Sequence, residues 1–257
     1  MHRALAIAAL LWPGSSPFVL AQEAGGLPLR GEAAEAFLRG ARVVSSKALG
    51  TGITGSDRLT LSDGTATHRA VWKTINEFKR GVSGLSGGGV IVDFEDSYRF
   101  EIAAYELDKL LKLDMVPPSV ERQLGGSRGA AQLWVEDVTP LARDAPPPGS
   151  DRARWEDQVG RMRMFDNLIG NRDRNQGNIL LDAAWNLILL DHSRAFGEGT
   201  SLPHKLGRID EGLWAEIEAL TPGELETALG AWLEHGEIKA MLDRRDRMRA
   251  EIGSPPK

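Results

Sequence analysis

The sequence predicts an α+β protein of two lobes, a strand-rich first half and a helix-rich second half dividing near residue 140. Three observations carry this. Arg58-Leu59-Thr60-Leu61-Ser62 alternates, Asp63-Gly64 is a turn pair, and Thr65 to Lys73 completes a hairpin. Pro146-Pro147-Pro148-Gly149 then breaks the chain, and Arg154 to Ile169 and the stretch from about Glu211 onward read as helices. Finally, 257 residues at 42% hydrophobic composition suffice for one large domain or two small lobes around a buried core.

Composition narrows the chemistry. The chain has no cysteine, which excludes disulfides, thiolate zinc sites and a cysteine nucleophile. A net charge of −5 leaves no electrostatic footprint for nucleic acid. Met1-His2-Arg3 is a short basic start, Ala4 to Trp12 is an apolar run, and Val19-Leu20-Ala21 offers small side chains to a signal peptidase. This pattern predicts a signal peptide over residues 1–21, cleaved after Ala21, and a secreted or periplasmic mature chain. The apolar run falls short of the roughly 20 residues a bilayer span needs, and no later segment is apolar enough, so no stable membrane insertion is expected. The first lobe then covers 22–140 and the second 141–257.

Each element follows from local pattern. Glu32 to Val44 reads as an amphipathic helix with Ala34, Phe37, Leu38 and Ala41 on one side. Gly81 to Gly89, rich in Gly and Ser, reads as a mobile loop. Asp96-Ser97 can cap a helix running to about Lys112, whose apolar face is Ala103, Leu107, Leu110 and Leu111. Pro117-Pro118 ends that segment, and Ala131 to Val138 resembles a strand. Asn178 to Asp182 and Asn186 to Asp191 are short apolar strands joined by a tight turn. The terminal helical stretch divides near Thr221-Pro222-Gly223.

Gly50, Gly52 and Gly55 match G-x-G-x-x-G. A dinucleotide fold needs the third glycine to open a helix, and here a hairpin follows, which excludes that version. A glycine loop folded over nucleotide phosphates between two strands remains, beside the plain reading of a glycine-rich turn. Lys73 ends the strand Arg69-Ala70-Val71-Trp72-Lys73. A lysine there can neutralise phosphates if a carboxylate holds it, and Glu101 and Glu106 are both candidates. Helical spacing puts Glu101 on the flank of the apolar face, which suits either solvent or an ion pair across a cleft.

The most specific run is Gly170-Asn171-Arg172-Asp173-Arg174-Asn175-Gln176-Gly177-Asn178. Asp173 and Asn178 stand as D-x-x-x-x-N before a hairpin whose second strand ends at Asp191. Phosphoryl transfer needs one carboxylate to orient the acceptor hydroxyl and take its proton, and an amide oxygen with a second carboxylate to hold a metal. The hairpin returns the chain, so Asp191 can sit close to Asn178. A polar turn is the alternative, but it does not account for two apolar strands framing the acids. Asp173 is expected to project into the cleft without an ion-pair partner, with Arg174 contacting phosphate or the loop backbone.

These residues resemble an atypical protein-kinase-like fold. Phe165-Asp166-Asn167-Leu168-Ile169-Gly170-Asn171 with Asp173-Arg174, and Leu190-Asp191-His192-Ser193-Arg194-Ala195-Phe196-Gly197, are similar to the catalytic and metal-binding loops of the secreted Golgi casein kinase family. Glu101 to Asp108 followed by Val116-Pro117-Pro118 matches that family's first-lobe helix. The loop also resembles phosphatidylinositol 3/4-kinase-like bacterial proteins and, more loosely, HipA-type kinases. The sequence departs at His192-Ser193, where typical kinases have Phe-Gly.

The resemblance implies a small antiparallel-sheet N-lobe, a mainly helical C-lobe, ATP, and Mg²⁺ or Mn²⁺. Residue by residue, it implies that Gly50, Gly52 and Gly55 cover the phosphates, that Lys73 contacts them, and that Glu101 pairs with Lys73 or helps position the metal. Gln132 to Val135 would be the hinge that reads adenine, so Leu133 and Val135 are cofactor-binding candidates. Asp173 would be the acid–base residue, and Asn178 and Asp191 the metal ligands. The expected activity is transfer of the γ-phosphate to a hydroxyl of a protein or small molecule. Transfer of AMP, or nucleotide binding without turnover, are the alternatives.

Overall fold

The computed structural model describes residues 26–50, 55–84, 90–141 and 146–253. The expected signal peptide lies outside the described residues, as does Gly52.

Helix α1 (Gly31–Gly40) buries Ala34, Phe37 and Leu38, the face its spacing predicts. It stops short of the expected Val44. Gly40 is a weak helix former, and the β-branched Val43 and Val44 continue instead as edge strand β1 (Arg42–Ala48). The predicted hairpin forms as β2 (Ser56–Ser62) and β3 (Thr67–Lys73), in register from Ser56↔Lys73 to Ser62↔Thr67. Asp63 closes its turn by accepting the N–H groups of Thr65 and Ala66, each at 2.8 Å.

Strands β4 (Asn76–Gly84) and β5 (Val90–Ser97) form a separate antiparallel pair. The expected loop over Gly81 to Gly89 is therefore corrected. Residues 81–84 belong to β4, and Val82 to Gly84 pair with β5, as in Val82↔Val92, after an irregularity between Lys79 and Val82. Backbone pairing outweighs the glycine composition there, and residues 85–89 lie outside the described residues. Helix α2 (Tyr98–Leu111) starts where expected, with Ser97 Oγ accepting the Arg99 N–H at 3.2 Å.

Strands β6 (Ser119–Leu124) and β7 (Ser127–Leu133) meet at Gly125-Gly126, so the strand expected from Ala131 begins four residues earlier and ends at Leu133. The main sheet is antiparallel in the order β1-β2-β3-β7-β6. Its inner face packs Leu59, Leu61, Ala70, Trp72 and Leu133 against α1.

The second half opens with β8 (Thr139–Pro140), which pairs with β9 (Ile179–Leu181), and β9 pairs in turn with β10 (Leu187–Leu189). Helix α3 (Arg152–Ile169) starts at Asp151, whose side chain accepts the Ala153 N–H, and ends at Gly170 with φ +68°. Helices α4 (Glu211–Ala219), α5 (Pro222–Leu229) and α6 (His235–Ile252) complete the chain. Their apolar faces join Phe165, Leu168 and Ile169 of α3 in one core.

Ala103, Leu107 and Leu111 of α2 enter that same core. At roughly 1.5–3 kcal/mol for each fully buried large side chain, Leu107 and Leu111 anchor α2 to the helical half. Buried Arg244 of α6 donates to the carbonyls of Leu168 (2.8 Å), Gly197 (2.8 Å) and Gly199 (2.6 Å), tying the segment after Asp191 to the end of α3. Among the described residues no helix is long and apolar enough to cross a membrane.

Candidate active site

The lysine side of the site is built by the sheet. Lys73 closes β3 opposite Ser56 of β2 and Ala130 of β7. A Cβ on Gly129 would lie 2.3 Å from the Lys73 carbonyl oxygen, so only glycine lets β7 approach at this point. Lys73 Nζ bonds Glu101 of α2 and lies 2.8 Å from Asp191 Oδ1. Of the two glutamates weighed from sequence, Glu101 is the partner; Glu106 turns to Lys109 at 2.9 Å.

Glu101 is fully buried. Besides Lys73, it accepts the His192 backbone N–H on Oε1 (3.2 Å) and has His192 Nδ1 3.5 Å from Oε2. Burial would raise this carboxyl, but the Lys73 ammonium and His192 outweigh it and hold it well below the usual carboxylate range. Burial would likewise lower the Lys73 ammonium; Glu101 and Asp191 reverse that and keep it charged. The pair is ionised on both sides.

The acid side comes from the loop between α3 and β9. Asn171 Oδ1 accepts the Asp173 N–H at 3.0 Å, and Asn178 Nδ2 donates to the Asp173 carbonyl at 3.1 Å. That second bond fixes the Asn178 amide and leaves its oxygen to accept elsewhere. Leu190 N–H donates to the Asn178 carbonyl (2.9 Å), which sets Asp191 beside Asn178 as the returning hairpin predicts. Asp191 has φ +57°, a left-handed conformation that Asp tolerates better than most residues. Its Oδ1 also accepts from Ser193 Oγ at 3.2 Å.

The donors at Asn178 and Asp191 are hard oxygens, the type Mg²⁺ and Mn²⁺ select. Among the described residues no three His, Asp or Glu side chains are grouped as a metal cage.

Two expectations for the loop need correction. Asp173 does have an ion-pair partner, since Arg194 Nη1 lies 3.5 Å from its Oδ2 while Arg194 Nε lies 3.3 Å from Asp96. Arg174 does meet loop backbone, at the carbonyls of Asn178 (3.2 Å) and Leu190 (2.5 Å), but it is closed off from phosphate. Its Nε and Nη2 form a two-pronged pair with Asp166 at 3.0 and 2.9 Å, and its side chain is 1% exposed. It braces Asn178 and Asp191 from behind.

Leu133 and Val135 line a cavity of about 430 Å³ with Val71 above and Leu180 and Leu190 below, so both halves contribute apolar walls. Trp134 N–H donates to the Arg69 carbonyl (3.0 Å) and Glu136 N–H to the Gly26 carbonyl (2.8 Å). Gly50, with φ +63°, follows β1, and Gly55 precedes Ser56 of β2, the residue opposite Lys73; the residues between them lie outside the described ones.

Sequence reasoning treated Asp96 only as a helix cap with Ser97. Ser97 takes the cap alone, and Asp96, 2% exposed, faces Arg194. Asp166 carried a usable signal: an acid set beside Phe165 and Leu168 at the buried end of α3 must find a cation, and Arg174 is near in sequence.

No protein-family model matches the chain, and no curated protein matches it. Solved structures do. A Golgi casein kinase with Mn and ADP bound superposes at TM-score 0.63 with 17% identity, over 86% of this chain and 74% of that one. A hydra Fam20 with sugar gives 0.62 and 16%, over 85% and 86%. The Helicobacter pylori proinflammatory kinase CtkA gives 0.51 and 9%, over 83% and 94%. With its five-stranded antiparallel sheet, its helical second half and these likenesses, the chain has an atypical, two-lobed protein-kinase-like fold.

Proposed function

We propose that this protein is an ATP- and divalent-metal-dependent phosphotransferase that moves the γ-phosphate to a hydroxyl of a protein or small molecule. The observation that carries this is the Lys73 ammonium bonded to Glu101 on one side and Asp191 on the other, with Asp173 and Asn178 on the adjoining loop. An electrostatic balance supports it. Asp96, Glu101, Asp173 and Asp191 place four carboxylates around two cations, Lys73 and Arg194, and a divalent ion offsets the excess. The similar Golgi casein kinase structure with Mn and ADP supports the same pairing of nucleotide and metal.

In this reading adenine enters the apolar cavity and meets the hinge at Leu133 to Val135. Among the described residues the Val135 N–H has no protein acceptor, which suits it to a ring nitrogen. Lys73 orients the phosphates, and the glycine-rich stretch of Gly50, Gly52 and Gly55 would cover them. Asn178 and Asp191 would hold Mg²⁺ or Mn²⁺, which neutralises charge on the phosphate oxygens. Asp173 orients the acceptor hydroxyl and takes its proton. The signal peptide expected from the sequence would put the reaction outside the cytoplasm.

The test is mass spectrometry of the purified mature chain after incubation with ATP and Mg²⁺ or Mn²⁺, alone and with hydroxyl-bearing acceptors. A gain of phosphate supports the assignment, a gain of AMP replaces it with nucleotidyl transfer, and no change in any sample replaces it with nucleotide binding alone. Asp173→Asn should cut turnover about a hundredfold or more while barely changing nucleotide affinity. The same spectra should find Gln22 as the first residue of protein recovered after export.

A further inference from the structure

Arg194 occupies a position that the roles above do not use. It lies three residues past Asp191 and is gripped at both prongs. Nε faces Asp96 Oδ2 at 3.3 Å and Nη1 faces Asp173 Oδ2 at 3.5 Å. Asp96 is a fixed anchor, 2% exposed at the end of β5, immediately before the Ser97 cap of α2. The segment carrying Arg194 is fixed too. Ser97 N–H donates to the Ser193 carbonyl at 2.8 Å, and the Ser193 hydroxyl donates to Asp191 Oδ1 at 3.2 Å. The guanidinium is thus suspended from β5 over the carboxylate that faces the acceptor.

Among the described side chains, two further cations near the cleft are committed elsewhere. Lys73 is held between Glu101 and Asp191, and Arg174 is enclosed by Asp166 and two carbonyls. Arg194 keeps 27% of its side chain exposed and stands at the Asp173 end. A γ-phosphoryl group in transit passes between its leaving oxygen and the hydroxyl that Asp173 orients, so its equatorial oxygens arrive beside this guanidinium. A planar fork with one prong on a carboxylate and the other on a phosphate oxygen is geometry that arginine supplies and lysine does not.

We propose that Arg194 binds the terminal phosphate of the nucleotide, and that Asp96 is the positioning residue that holds its guanidinium there; this rests on the phosphotransferase reading. In the transfer the bond from the γ-phosphorus to the bridging oxygen breaks, and its electron pair stays on the departing diphosphate. The bond from phosphorus to the acceptor oxygen forms, and the hydroxyl proton goes to Asp173. Arg194 moves no proton. It passes from the Asp173 carboxylate to the phosphoryl oxygens and frees that carboxylate for the hydroxyl.

The test is calorimetric binding of Mg-ADP and of the Mg complex of β,γ-methylene ATP to the full mature chain, which reads the terminal phosphate without turnover. Wild type should prefer the triphosphate. Arg194→Ala should weaken the triphosphate about tenfold to a hundredfold, the span of a charge-assisted hydrogen bond, and leave ADP within about twofold. Arg194→Lys should recover only part of the preference. Asp96→Ala should lose part of it, and Asp96→Asn, which still offers an oxygen to Nε, should keep most of it. Melting curves identify any variant that misfolds, and Arg194→Lys with Asp96→Asn then carry the comparison. Equal wild-type affinity for both nucleotides, or an Arg194→Ala loss equal for both, would overturn the proposal. Wild type binding neither nucleotide would instead overturn the phosphotransferase reading, and this inference with it.

Discussion

Arg174→Ala should destabilise the protein more than most single substitutions. The native side chain makes two bonds to Asp166 and two to the carbonyls of Asn178 and Leu190. Without it, the Asp166 carboxylate, fully buried, keeps only Asn171 Nδ2 at 3.2 Å and the His204 ring at 3.7 Å. Removing one partner of such a buried pair costs about 3–5 kcal/mol, because the remaining charge has no water to replace the lost ion. For a chain of this size each kcal/mol moves the midpoint by about 2–4 °C, so Tm should fall by roughly 6–20 °C. Urea and thermal unfolding followed by circular dichroism measure this directly. The double variant Arg174→Met, Asp166→Leu should recover most of the loss, since it removes both charges together. A loss below about 1 kcal/mol for Arg174→Ala, or a double variant no more stable than the single one, would refute the brace.

Further outcomes follow from other sites. Asp108 accepts the N–H groups of Met115 (2.9 Å) and Val116 (3.0 Å), and burial pushes its carboxyl up from 3.8 to about 6. Its folded value lies above its unfolded one, so stability is lost as pH rises from about 4 and the full cost is present above about 6. Asp108→Asn keeps the acceptor oxygen and removes that cost, so its advantage in unfolding titrations should grow across this window towards about 3 kcal/mol; equal stability at pH 7.5 would contradict it. Gly129→Ala should lower both stability, by about 1–3 kcal/mol, and nucleotide affinity, because the new methyl meets the Lys73 carbonyl. Unchanged melting and binding would remove the close approach from the argument. Asp191→Ala should abolish the dependence of nucleotide binding on Mg²⁺ in calorimetry, and a dependence that survives would place the metal elsewhere.

Much of the fold was legible where local signals agree. Asp63-Gly64 sits between alternating runs, Ser97 precedes a clear apolar stripe, and Asp151 and Gly170 mark both ends of α3. The site was legible because its residues cluster in short runs around Lys73, Glu101, Asp173 to Asn178 and Asp191. Where pairing over long range decided the outcome, sequence pattern failed. Strand β1 survives as an edge only because β2 lies beside it, and β4 keeps Val82 to Gly84 extended only because β5 pairs with them. Periodicity left Glu101 on a flank. Its burial depends on Lys73 and on the His192 N–H, a group 91 residues away that no helical pattern could reveal. Arg194 and Asp96, 98 residues apart, were unreadable as a pair for the same reason.

The double engagement of Lys73 changes how its removal must be interpreted. Its ammonium carries three N–H donors, and Glu101 and Asp191 take two, which leaves one direction for a phosphate. Lys73→Ala therefore removes a phosphate contact and also strands the Glu101 carboxylate, fully buried, with His192 as its remaining neighbour. A stranded buried charge costs about 3–5 kcal/mol, as much as many whole mutational effects on stability. Loss of activity in that variant mixes two causes and does not by itself assign the lysine to phosphate binding. Lys73→Met combined with Glu101→Gln removes both buried charges, and Asp191, whose side chain is 40% exposed, can exchange its lost ion pair for water, so the phosphate contact is the main interaction missing. A protein that melts near wild type in that form, yet binds nucleotide weakly, isolates the role of the ammonium. One that regains nucleotide affinity along with stability assigns Lys73 to holding α2 against the sheet.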